Sequence, residues 1–383
     1  MTTGSAPSVA SNPLPDAQAP APSLRSESEA VYAATAAAIL GALYGFAIGS
    51  IPALPLWGDW SFGATAAIGA GVVAAASAAV GYWRVRLLPG HEWRQQLPSW
   101  TFTINTISVV VVHTVLAVLA SLAAYLVLGR GFQGLLMNGF WSVVLMAVTL
   151  GLTAYAVYLS VSQMTTQRMS MLLMSFVVLG TLTAMATSPD PDWWQIHFSH
   201  LGTFTALSSY VFNGTLIAGG LLVTTFALYI ANDMRVLVER GVLTDAKSPR
   251  TVPTILVIMG IMLAFVGIVP VDVNLLVHNL AASGMAAMYL GLLIAGPRLL
   301  RGMPRTYVLS SWAFLAALLV SVALFVVGYF GLTAFEIIVF ALIFGWIAVF
   351  IRFLGVTGQP GSVPSPSDVA RVGAPADGPE GHR

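Results

Sequence analysis

Long apolar runs alternate with short polar stretches along the whole chain. Each run is close to the 20 or so residues that a helix needs to cross a hydrocarbon core of about 30 Å. A transmembrane barrel would instead alternate in polarity residue by residue, and these runs are uniformly apolar. The pattern predicts an all-α, polytopic transmembrane bundle of about ten spans. They run Ala30–Ile51, Phe62–Trp83, Thr101–Leu128, Gly139–Val161, Met169–Thr187, Ser209–Ile230, Pro253–Val269, Leu275–Gly296, Tyr307–Phe330 and Thr333–Phe353.

The polar stretches orient the spans. With the N-terminus placed in the cytoplasm and the spans alternating, all but Arg130 of the 16 Lys and Arg residues fall on the cytoplasmic side. Positive charge in short loops stays inside, so this bias puts both tails in the cytoplasm of a plasma-membrane protein. It also checks the number of spans, because adding or removing one would scramble it. Asp59, Asp190, Asp192, Asp272 and Glu336 collect on the outer side, an acidic face that attracts cations.

The Ser-, Pro- and Ala-rich residues 1–28 lack the basic and short apolar regions of a cleavable signal and are expected as a disordered cytoplasmic tail. Residues 356–383 are expected as a second one. Between them, residues 29–165 form a four-helix membrane unit and residues 166–355 a six-helix membrane domain.

Composition narrows the function classes. Charged residues are 8% of the chain and hydrophobic ones 57%, whereas soluble domains carry about 25% charge. The basic residues are scattered at span ends rather than gathered in a patch, so nucleic acid is not an expected partner. Cysteine is absent, which removes disulfides and thiolate metal ligands. No glycine-rich phosphate loop, Gly-x-Ser-x-Gly elbow, His-Glu-x-x-His motif or arginine row is present.

Chemistry-bearing side chains crowd into one stretch, residues 188–215, which also holds the adjacent pair Trp193 and Trp194. His197 and His200, three apart, share a face if helical. His278 follows Asp272 at the start of the eighth span. Glu336 lies on the order of 5 Å inside the tenth. Imidazoles with carboxylates suit zinc held by His197, His200 and His278 with an acid as further ligand or base. Alternatively the acids are solvated, the tryptophans sit at the interface and the histidines bond helix ends. His113, in mid-span near Asn105 and Ser108, reads as an interhelical hydrogen-bond partner. The small residues of the sixth span (Gly214, Ala218, Gly219, Gly220) and of the eighth (Ala281, Ala282, Ser283, Gly284, Ala286) are expected to pack those two helices together.

Asp190 to Gly202, Phe212-Asn213-Gly214-Thr215, Gly267 to Pro270 and His278-Asn279 together resemble an actinobacterial membrane-protein family of unknown function, related to the DRAM/FRAG/SFK group. Ser199-His200-Leu201-Gly202 is similar to that group's Ser-x-Leu-Gly signature, and Pro270 with His278-Asn279 to its later element. The resemblance covers the fifth to tenth spans. It implies a six-helix membrane unit, an association with membrane lipid organisation and no established catalytic activity.

Three readings stand open. The first is a non-enzymatic protein that binds or organises lipid through an outer polar pocket of Ser199, His200, Asn213, Asp272, His278, Asn279 and Glu336, with no cofactor. Its partners are membrane lipids and a membrane protein or second copy of the chain. The second is a zinc-dependent hydrolase of a lipid or envelope substrate. The third is a proton-coupled transporter using Glu336 or His113 as relay.

Overall fold

A computed structural model describes residues 22–58, 60–87, 92–203 and 206–357. The expected tails at 1–21 and 358–383, and Asp59, lie outside the described residues. Among these the chain is helical, with ten helices long and apolar enough to cross a membrane. They are α1 (Pro22–Ile48), α2 (Phe62–Val85), α3 (Ser99–Gly131), α4 (Gly139–Ser162), α5 (Thr166–Ala186), α6 (Leu207–Glu239), α7 (Ser248–Ile268), α8 (Leu275–Leu299), α9 (Arg305–Val326) and α10 (Leu332–Thr357). This is a multi-pass membrane architecture, as the apolar runs predict. The starts of several helices are written locally. Ser61, Asn138, Thr165 and Asn274 each accept a hydrogen bond from the backbone N–H three residues on, satisfying a donor that the first turn leaves open.

Helix α1 starts inside the stretch expected as a disordered tail. Residues 22–28 are helical, for physical reasons that composition hides. Pro22 suits a first helical position. Arg25 pairs with Glu29 one turn on, at 3.3 Å. Glu27 and Glu29 accept hydrogen bonds from Tyr155 and Tyr158 of α4 at 2.9 and 2.5 Å.

The chain divides into two compact units, residues 1–92 with 121–163, and 93–120 with 164–383. The first two thirds of α3 therefore cluster with the later helices. In the first unit α1 lies directly on α4. A Cβ added to Gly45 would stand 2.3 Å from the Ser142 carbonyl oxygen, and one on Gly41 2.7 Å from that of Met146. Glycines four apart give α1 a bare stripe, and the backbones meet along it. Phe62 and Tyr125 pack edge to face beside this seam, with ring centroids 5.5 Å apart.

In the second unit the closest crossing joins α6 to α7. A Cβ on Gly220 would lie 2.3 Å from the Gly260 carbonyl oxygen. This corrects the expected pairing of α6 with α8: Gly220 of α6 lies against α7, and Gly219 lies nearest Val177 of α5. Both helices carry small residues, but α7 follows α6 through a short turn and reaches it first. The Thr225 hydroxyl of α6 donates to Asn105 Oδ1 on α3 at 3.1 Å. Near them the buried Arg94 guanidinium lies over the rings of Trp93 and Tyr229, 5.6 and 5.1 Å from their centroids, a contact favoured by the ring quadrupole. Helices α8 and α10 are tied by the Tyr289 hydroxyl, which donates to the Leu342 carbonyl at 3.1 Å. Trp346 Nε1 donates to Ser311 Oγ, tying α10 to α9.

Within this unit, alternation of the helices gathers the basic residues at one end, where Asp233, Glu239 and Asp245 also lie. Arg168, Arg235, Arg240, Lys247, Arg250, Arg298, Arg301, Arg305 and Arg352 all belong to one end. Asp190, Asp192, Asp272 and Glu336 belong to the other, the acidic end, which has no Lys or Arg among the described residues.

Candidate functional site

The segment between α5 and α6 forms two short 3-10 turns at the acidic end, Trp193–Gln195 and Phe198–Gly202. Proline at 189 and 191 keeps the chain from continuing α5. Asp190 then acts as a staple. Its Oδ1 accepts from the Asp192 N–H at 2.8 Å, and its Oδ2 lies 3.3 Å from His200 Nε2. The Phe198 ring plugs the top of the bundle, packed at 5.2 Å on Phe212 and 6.1 Å on Phe340.

The end of the second turn is locked to α6. Asn213 Nδ2 donates to the Gly202 carbonyl at 2.9 Å and to Ser209 Oγ at 3.3 Å. Ser209 Oγ donates to the same carbonyl at 2.8 Å. A Cβ on Gly202 would stand 2.4 Å from Asn213 Oδ1, and one on Gly267 2.5 Å from the Asn213 carbonyl oxygen. Gly202, Asn213 and Gly267, far apart in sequence, thus meet at the top of α6. They let the 3-10 turn, α6 and α7 close on one another.

Beneath this cap a cavity of about 380 Å³ opens between the 3-10 turn, α6, α7, α8 and α10. Its volume lies within the range of small-molecule pockets. The walls are apolar, including Phe212 and Leu216 of α6, Leu263 and Val266 of α7, and Phe335, Val339 and Phe340 of α10. Ala282, Ser283 and Ala286 of α8 border it, so three of the five small residues expected against α6 face this space, while Gly284 lies against Met262 of α7. Its polar members are Ser199, His278, Asn279, Ser283 and Glu336.

Two contacts set the chemistry of the polar end. Glu336 Oε2 accepts the Phe198 backbone N–H at 2.6 Å, which ties α10 to the 3-10 turn. Buried His278 has Nδ1 2.9 Å from the Val269 carbonyl. A carbonyl only accepts, so Nδ1 carries a proton, and in the neutral tautomer that this bond selects the lone pair lies on Nε2. The polar end thus holds a carboxylate and an imidazole, with an amide and two hydroxyls that can accept or donate.

Of the seven residues expected in the pocket, Ser199, His278, Asn279 and Glu336 line the cavity. His200 is turned to Asp190, and Asn213 holds the cap. Asp272 is exposed in the turn between α7 and α8. Sequence reasoning missed the hydrophobic lining and the Phe198 plug. A lone aromatic beside two histidines carries no signal of its own.

The histidines are close but differently engaged. The rings of His197 and His200 stand 5.5 Å apart, edge to face. His197 Nδ1 lies 3.1 Å from Ser199 Oγ. Burial lowers the His197 pKa below its ordinary value, and His200 and His278 nearby lower it further. Among the described residues no group of three His, Asp or Glu side chains is placed to share a metal ion.

Fold and site thus define a multi-pass integral membrane protein with a polar-headed cavity at the acidic end of its second unit. Residues 170–352 match the model of a family described as a protein of unknown function, DUF998. The match takes in most of α5, all of α6 to α9, and most of α10. Comparison with curated proteins and with solved structures finds no match.

Proposed function

We propose that this is a plasma-membrane protein that binds a membrane lipid in the cavity of its second unit, without catalysing a reaction on it. Both termini are cytoplasmic in this reading, and the acidic end faces outward, because the basic loops belong inside. The observation that carries it is the cavity itself. An apolar chamber at membrane depth, headed by Ser199, His278, Asn279 and Glu336, matches the two-part chemistry of an amphiphile. The resemblance to the DRAM/FRAG/SFK group, whose relatives are associated with membrane lipid organisation, points the same way. A zinc hydrolase gains no specific contact, since His197, His200 and His278 turn toward Ser199, Asp190 and Val269. A proton relay gains none at His113, whose Nδ1 is bonded to the Val109 carbonyl of its own helix at 2.8 Å.

Native mass spectrometry of the full chain released from lipid nanodiscs tests the reading. A retained lipid is expected, lost on Ala282→Trp, which puts an indole into the cavity. A protein that emerges without lipid, or an Ala282→Trp variant that retains it unchanged, overturns the reading.

A further inference from the structure

The polar end of the cavity is unusual in what it lacks. No Lys or Arg lines it, and among the described residues none belongs to the acidic end of this unit. Glu336 has one oxygen on the Phe198 N–H, and among the described residues no protein group bonds the other. A half-buried carboxylate without a cation is costly unless a positive group approaches it. Beside it His278 has Nδ1 committed to Val269, which leaves Nε2 as the acceptor of its neutral tautomer, and the Asn279 amide can turn its oxygen to the same space. Ser199 and Ser283 accept or donate as needed.

A head group that satisfies such a set must bring donors and positive charge. A phosphate or carboxylate head brings acceptors and negative charge, which Glu336 repels. A hydroxyl brings a single donor. A primary ammonium brings a positive charge and three N–H donors, and an apolar tail fills the chamber below. We infer, resting on the lipid-binding reading above, that the cavity selects amphiphiles whose head is a primary ammonium. Glu336 supplies the counter-charge, and His278 and Asn279 the further acceptors.

The experiment uses the full chain in nanodiscs at neutral pH, with dodecylamine, dodecanol and dodecanoate as probes of equal chain length. Bound probe is counted by native mass spectrometry, and apparent affinity comes from titration. Dodecylamine is expected to bind about tenfold more tightly than dodecanol, and dodecanoate most weakly of the three. Glu336→Gln keeps an acceptor for the Phe198 N–H but removes the charge, and should bring amine and alcohol to within about twofold. Asn279→Ala, at an exposed position, should lower the amine preference without disturbing the fold, so the test survives if Glu336→Gln does not fold. Equal binding of all three probes, or an amine preference untouched by both variants, overturns the inference and leaves the lipid-binding reading standing. Binding of none of them overturns that reading as well.

Discussion

Two small-residue faces in this protein have the same spacing and opposite fates. On α1 and just past its end, Gly41, Gly45 and Gly49 recur every four residues and lie against the α4 backbone with no room for a Cβ. On α8, Ala282 and Ala286 are also four apart, yet they border a cavity of about 380 Å³. The difference lies in what stands opposite. The α1 stripe meets the start of α4, where Gly139 and Ser142 are themselves small. The α8 stripe faces Glu336, Phe335 and Phe340 of α10 across the cavity, and α10 is held to α8 deeper down by Tyr289. Between hydrocarbon-facing helices there is no hydrophobic drive to close a gap. A small-residue face closes only where backbone can meet backbone.

Gly45→Leu should break the first of these faces and have the largest effect. Its Cβ would overlap the Ser142 carbonyl, which is backbone and cannot rotate away. Overpacking costs about 1–3 kcal/mol where side chains can adjust, and this site belongs at or above the top of that range. Thermal unfolding in detergent should show a melting temperature many degrees lower. An unchanged melting temperature would mean that α1 and α4 do not meet along this seam.

Asn213→Ala sharpens the comparison by loosening what caps the cavity. It removes the bonds to the Gly202 carbonyl and Ser209 Oγ while leaving the bond from Ser209 to Gly202. The expected cost is about 1 kcal/mol. Hydrogen exchange should report it as faster exchange of the amides of residues 198–203, with the seam of α1 and α4 unaffected. Protection that stays the same would show that the turn is held without Asn213, by Ser209, Glu336 and Asp190.

Ala286→Leu is the counterpart of Gly45→Leu on the open face. The added carbons enter existing space rather than backbone. They also leave a lipid environment about as apolar as the cavity, so little free energy is gained. The melting temperature should therefore shift by less than ~1 kcal/mol would produce, while lipid retention falls. A loss of stability as large as that of Gly45→Leu would show that the space is not there.

The outcome follows how much of each feature is local. Spans, their order and the sorting of basic residues are local or one-dimensional, and the apolar runs carry them almost unaided. The start of α1 was hidden because Ser, Pro and Ala read as tail, while its anchors, Tyr155 and Tyr158, lie more than a hundred residues away. The pairing of α6 was mistaken because composition says that a helix approaches closely and not which neighbour it approaches. For the site, polarity at similar depth pointed to Ser199, His278, Asn279 and Glu336. It could not separate them from His200 and Asn213, whose side chains turn elsewhere on bonds that sequence does not contain, or from Asp272, which is exposed in a turn. Gly202 and Gly267 were visible only as parts of a resemblance, and their contacts with Asn213 give that resemblance a physical cause.

The smallest effect expected concerns pH at the cap of the open face. His197 has its pKa held below the ordinary 6.5, by burial first and then by His200 and His278. The unfolded segment therefore takes up its proton before the folded one does. The contribution of His197 to the cap is present above pH 6.5 and is lost as pH falls from there through the lowered folded value. Exchange of the amides of residues 193–203 should speed up below pH 6.5 relative to the chemical rate. His197→Gln, which does not titrate, should flatten that dependence. If the wild-type and variant profiles coincide, protonation at His197 does not act on the cap.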